Sequence, residues 1–96
     1  MNRAEKNLIN NNPRLVLWVS IESTPPLYLW HYSIDMCLRS EKSKDDERLG
    51  TVKDGWGFTM DKVSKKCLDY LVGLGVKPEK MIMPPKLKEE LLERLK

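Results

Sequence analysis

The chain has 96 residues, 41% apolar and 32% charged, with 17 basic residues against 14 acidic ones. That is enough for one domain with one core, and it leaves no room for separate catalytic and binding modules. The longest unbroken apolar run, Leu15 to Val19, is far too short to span a membrane, and a net charge of +3 in mixed signs permits nucleic-acid binding without demanding it.

Ala4 is the single alanine and glutamine is absent, while lysine, leucine and asparagine are plentiful. Such a bias suits an AT-rich genome, such as that of a virus or mobile element. Cys37 and Cys67 have no CxxC spacing and no histidine beside them, so they cannot fill a tetrahedral metal site. They read as reduced thiols, with Cys67 in the core. No cofactor and no metal are expected.

In chain order, residues 1–13 are polar and end in Asn10-Asn11-Asn12-Pro13, which cannot easily continue a helix. They read as a flexible N-terminal arm with one helical turn around Ala4 to Ile9, ahead of a single domain over 14–96. The segment has no apolar stretch of the signal-peptide kind, so a cytoplasmic, intracellular protein is expected.

Arg14 to Glu22 (RLVLWVSIE) is β-branched and aromatic and reads as a strand ended by Ser23-Thr24-Pro25-Pro26. Leu27 to Arg39 then alternates, with Tyr28, Trp30, Tyr32, Ile34, Met36 and Leu38 on one side and Leu29, His31, Ser33, Asp35, Cys37 and Arg39 on the other. A four-residue loop, Ser23 to Pro26, would set Glu22 opposite Leu27. Ile21 then meets Tyr28, Val19 meets Trp30, Leu17 meets Tyr32 and Leu15 meets Ile34, all apolar pairs. On the reverse face Ser20 meets Leu29, Trp18 meets His31, Val16 meets Ser33 and Arg14 meets Asp35.

After the charged run Glu41 to Arg48, read as a solvated loop, Asp54-Gly55 has the composition of a tight hairpin turn, with Lys53 facing Trp56 and Thr51 facing Phe58. Asp61 to Leu74 carries Val63, Cys67, Tyr70, Leu71 and Leu74 on one helical stripe, with Gly75 placed as a left-handed C-cap. Lys77 to Met83 is bounded by prolines and reads as an edge strand. Pro85 then opens a last helix, Lys86 to Lys96, whose stripe is Leu87, Leu91, Leu92 and Leu95. The fold class is α+β: a curled antiparallel sheet of four to five strands, two hairpins plus an edge strand, with one or two helices packed on one face.

His31 is the only histidine. A general base needs an orienting partner or a nucleophile within reach, and the register above gives His31 only Trp18, Ser20 and Ser33 as neighbours. It therefore reads as an outward residue beside a tryptophan. Val16, Trp18, Leu29 and His31 form the candidate protein-binding patch, since exposed aromatics are enriched at interfaces. The bland alternative is that a helix or the N-terminal arm covers them.

An alternative nucleic-acid-binding set is Lys53, Trp56, Lys62, Lys65 and Lys66, one aromatic for stacking and four amines for phosphates. A solvated helix face is the plainer account of those lysines. The glycines near Trp56 follow no phosphate-loop pattern, and Gly73-Leu74-Gly75 closes a helix instead of opening one, presenting carbonyls that repel phosphate.

The expected function is a small non-enzymatic protein-interaction module, of the kind a virus or mobile element encodes as an inhibitor or regulator. The partner is a protein of unknown identity, and a homodimer through the last helix is a further expectation. Nucleic-acid binding is the second reading. A small ribonuclease-type toxin using His31 is the third, since the size and mixed α/β pattern are of that kind but no catalytic constellation matches.

Overall fold

A computed structural model describes residues 3–25, 29–39 and 46–96. Its elements are α1 (Arg3–Asn11), β1 (Leu15–Thr24), β2 (Leu29–Leu38), β3 (Glu47–Gly57), α2 (Met60–Leu74), a 3-10 turn (Pro78–Lys80), β4 (Met81–Ile82) and α3 (Pro85–Arg94). The architecture is α+β, a four-stranded sheet in the order β3-β2-β1-β4. The first three strands run antiparallel, and β4 joins β1 in parallel through Leu17 and Trp18. Pro26, Leu27, Tyr28 and residues 41–45, which carried expectations above, lie outside the described residues.

Alternation along β1 and β2 sends Leu17, Val19, Tyr32 and Ile34 to one face, where all are buried. Ile9 of α1, Val63, Cys67, Leu68 and Leu71 of α2, and Leu87 and Leu91 of α3 belong to the same core cluster. All three helices therefore lie against one face of the sheet, the one that carries most of its apolar area.

The N-terminal segment is not an arm. Arg3–Asn11 is helical, its Ile9 is fully buried, and Asn10 fastens it to the end of α2. The Asn10 amide donates to the Gly75 carbonyl at 3.1 Å, and its oxygen accepts from the Lys77 backbone N–H at 2.9 Å. The asparagine run does stop the helix as its composition demands. Asn12 Oδ1 accepts from the Arg14 N–H at 3.0 Å, an Asx turn that leads into β1.

The β1–β2 register is displaced from the expected one by four residues, since Val19 opposes Ile34 and not Trp30. An even displacement leaves every side chain on its expected face, so Leu15, Leu17, Val19 and Ile21 still meet apolar partners, now Leu38, Met36, Ile34 and Tyr32, while the outer pairs change as well. Trp18 faces Asp35, Ser20 faces Ser33, and Glu22 faces His31.

The Asp54-Gly55 turn is also corrected: both residues lie inside β3, which is one continuous strand. Among the described glycines only Gly75 has positive φ, at 81°, where it caps α2 as expected. Gly55 serves a close approach instead. It opposes Tyr32, and a Cβ at that position would lie 2.5 Å from the Tyr32 ring. Two register shifts in the β2–β3 pairing, after Ile34 and after Met36, bend the edge strand.

Thr59 caps α2 by accepting from the Lys62 N–H at 3.2 Å. α3 begins at Pro85, as its proline predicts, but buries only Leu87 and Leu91 of its stripe; Leu92 and Leu95 are exposed. The half-buried Lys88 amine donates to the Pro78 carbonyl and, at 2.8 Å, to that of Met81, fixing the turn that feeds β4.

Gly55→Ala is expected to cost about 1–3 kcal/mol, because the buried Tyr32 ring has nowhere to go. Gly50→Ala in the same strand, with open space around it, should stay within about 0.5 kcal/mol of the parent. Urea unfolding of the two variants would check both, and equal losses would contradict the packing role of Gly55.

Candidate functional site

The face of the sheet opposite the helices displays cross-strand rows. Glu22, His31 and Trp56 form one, Ser20, Ser33 and Asp54 the next, and Trp18, Asp35 and Thr51 a third. At one end Val16 and Cys37 oppose each other and are buried, so Val16 is not a surface residue of the expected patch. Trp18 stays 43% exposed, but four residues of β2 separate its partner Asp35 from His31, about 13 Å at the strand rise. The structure thus divides the expected patch, leaving Leu29 and His31 in one part and Trp18 in another.

The partner of His31 is Trp56. Their rings stack with centroids 4.2 Å apart and 29° between planes. His31 Nε2 lies 3.1 Å from Asp54 Oδ2, so the Nε2–H tautomer, or the imidazolium, donates to that carboxylate. Lys66 Nζ donates to the Trp56 carbonyl at 3.0 Å, reaching over the outer edge of β3. Beyond the stack, Trp56, Leu29, Thr24 and Pro25 line an apolar recess of about 360 Å³. The sequence held both members of this stack. What hid it was the Asp54-Gly55 turn reading, which folded Trp56 away from β2.

Around Trp18 the chemistry is polar. Trp18 Nε1 donates to Asp46 Oδ2 at 2.8 Å. Asp35 Oδ1 accepts from Ser33 Oγ at 3.1 Å, Thr51 Oγ1 at 2.8 Å and Arg48 Nη2 at 3.1 Å. Arg48 also donates to Thr51 Oγ1 at 2.6 Å. Asp35 is therefore held by Arg48 and not by Arg14, whose guanidinium donates to the Arg39 carbonyl at 3.3 Å.

The lysines of the alternative set lie elsewhere. Lys53 pairs with inward-facing Ile34 and holds its amine 6.0 Å from the Tyr70 ring, on the helix side. Lys62, Lys65 and Lys66 are exposed on α2, across the sheet from the Trp56 indole. Lys65 belongs instead to a groove of about 380 Å³ between α2 and α3, where Asp61, Glu90 and Arg94 mix both charge signs. No single surface unites the stacking ring with the four amines.

Neither thiol is poised for chemistry. Both cysteines are free and buried. Burial pushes the Cys37 thiol up, and the neighbouring carboxylates of Asp35 and Asp46 push it further against the opposing pull of Arg48. Burial alone pushes Cys67 up to about 12. Among the described residues no group of three or more His, Cys, Asp or Glu side chains could hold a metal ion. No helix among them is long and apolar enough to cross a membrane.

Two outcomes follow from this geometry. Asp35→Ala should lower stability by about 1–3 kcal/mol, since one carboxylate oxygen serves three donors in a half-buried place. Asp54→Ala, which breaks only a half-exposed pair, should cost less than about 1 kcal/mol in the same thermal or urea titration.

For Cys67 the folded thiol titrates above its ordinary 9.0, so the stability gained by keeping it protonated is complete below that pH and is lost as pH rises toward 12. Native protein at about pH 8 should accordingly resist iodoacetamide at Cys67 until denaturant is added. Rapid native labelling read by mass spectrometry would contradict the burial.

Comparison of the chain with protein families, with curated proteins and with solved structures finds no match in any of the three.

Proposed function

We propose that the protein is a small non-enzymatic interaction module that binds another protein through the helix-free face of its sheet. The observation that carries this reading is the His31–Trp56 stack beside its apolar recess. Trp56 is 50% exposed, on a surface that none of the three helices covers. Exposed, pre-oriented aromatic rings are the side chains that anchor protein interfaces, because they bury much area at little rotamer cost.

The same geometry weighs against the other readings. Asp54 gives His31 the orienting carboxylate that the sequence reading did not foresee, but among the described residues no hydroxyl or thiol hydrogen-bonds to the imidazole as a nucleophile to activate. A strand of nucleic acid stacking on Trp56 would meet Glu22 and Asp54 on the same face, with Lys66 at the edge of β3 and Lys53 on the helix side of the sheet. A role as an inhibitor or regulator suits a chain this small whose main exposed feature is a binding face. An intracellular setting suits its two free thiols.

The test is site-specific photocrosslinking in extract of the cell of origin. A benzophenone side chain replacing Ser20, between Trp18 and Glu22 on the outer face, should give protease-sensitive, nuclease-resistant adducts. The same group replacing Glu89, exposed on α3, should give none. Nuclease-sensitive adducts at Ser20, or equal yields at both positions, would overturn the proposal.

A further inference from the structure

Resting on the reading of the chain as a protein-binding module, we infer that the outer edge of β3, over Lys53–Gly57, accepts an extended segment of the partner as a further strand with acidic side chains on its helix side. Among the described residues β3 is an edge strand, bonded to β2 on one side and to no strand on the other. None of its 11 residues is buried. The register shifts after Ile34 and after Met36 interrupt the pairing with β2 at Val52 and Leu49, so Lys53–Gly57 is its regular stretch.

The backbone of that stretch calls for a main chain as occupant. Lys66 Nζ reaches from α2, beyond the edge, to the Trp56 carbonyl at 3.0 Å, so that carbonyl points away from β2. In a strand the N–H and C=O of one residue share an edge and those of the next take the other, which turns the backbone groups of Asp54 outward as well. The His31–Trp56 stack, 4.2 Å between centroids, fits this phase, because residues of a non-hydrogen-bonded cross-strand pair stand closer together. A row of outward donors and acceptors is matched by another extended backbone. The Lys66 amine holds one of these acceptors until a partner N–H takes its place.

The side chains beside the edge set the charge of that segment. Positions 62, 66 and 70 of α2 stand one helical turn apart, and each lies against β3. A Cβ on Gly57 would lie 3.8 Å from that of Lys62, Lys66 bonds Trp56, and Lys53 holds its amine 6.0 Å from the Tyr70 ring. Exposed Lys53, Lys62 and Lys66 therefore line the helix side of the edge, and among the described residues none of the three pairs with a carboxylate. The acids of α2 are turned elsewhere, Asp69 to Arg94 of α3 and Asp61 to the groove between α2 and α3. Asp54 lies on the other face of the sheet, against His31.

A second copy of β3 would bring the same three amines against these and be repelled. A strand with acidic residues at alternate positions sets them against the amines, and its remaining side chains continue the outer face beside Trp56.

The experiment is fluorescence anisotropy of the full chain with labelled peptides, one alternating glutamate and valine, the other lysine and valine. The acidic peptide should bind saturably and the basic one should not. N-methylation of the glutamate amides and of the valine amides blocks opposite edges of the acidic peptide, so one of the two methylated forms should lose binding. Lys53→Glu and Lys62→Glu should each weaken binding roughly fivefold, and raising salt from about 50 to about 500 mM should weaken it severalfold. Lys65→Glu, turned to the groove between α2 and α3, is the charge control and should leave binding unchanged. Circular dichroism checks the folding of each variant, and Lys62→Glu carries the test should Lys53→Glu fail to fold.

Failure of the acidic peptide to bind, equal binding of the basic one, full binding by both methylated forms, or equal losses in Lys62→Glu and Lys65→Glu would overturn the inference. So would labelled single-stranded RNA or DNA that binds more tightly than the peptide and is lost with Lys62→Glu, or a dimer of the chain that the peptide dissociates. Protein adducts at Ser20 without acidic-peptide binding would overturn it and leave the face reading standing; absence of both would overturn both.

Discussion

The structure depends on one constraint, the two-sidedness of β2. This strand is hydrogen-bonded on both edges, to β1 and to β3, and its alternation puts Tyr32 and Ile34 in the core while His31, Ser33 and Asp35 face away. Helices α1, α2 and α3 have nowhere else to bury Ile9, Leu68, Leu71 and Leu91, so all three gather on that side. Burying the apolar face confines every helix to it, and the polar–aromatic face is what remains.

On that remaining face, what a partner would meet depends on how rows of side chains line up across strands. Cross-strand neighbours are the units of interaction in a sheet, so the register decides which residues act together. The observed register gives His31 an indole from β3 and a carboxylate across from it on β1, and it gives Asp35 three donors that lock it as a structural hub. One end of the face is thus a satisfied polar network around Trp18, and the other end is an aromatic stack beside an unfilled apolar recess. A satisfied network has little left to offer a ligand. The recess end has exposed apolar surface beside Trp56, which is why we propose binding there.

The glycines show how a local signal is read differently in context. Gly55 looked like a turn residue because it follows aspartate, but its lack of a side chain is used to admit the Tyr32 ring from the neighbouring strand. With no turn there, Glu47–Gly57 runs on as a single edge strand and carries Trp56 to His31. Gly75 had one available reading, and its left-handed conformation ends α2 as that reading required.

The sequence by itself determined the class of the fold, the inward and outward sides of β1 and β2, the position and capping of α2, the proline start of α3 and the outward placement of His31. These follow from periodicity and cap chemistry, which are local properties that a chain carries wherever it folds. Only the tertiary structure decided the four-residue displacement of the register, the merging of two short strands into β3, the docking of α1 and the pairing of His31 with Trp56. The displaced register keeps every apolar residue on its own side, so the hydrophobic pattern alone cannot choose between the two. The choice falls to contacts between residues far apart in the chain: the Tyr32 ring over Gly55, Asn10 on Gly75 and Lys77, and Arg48 with Thr51 on Asp35.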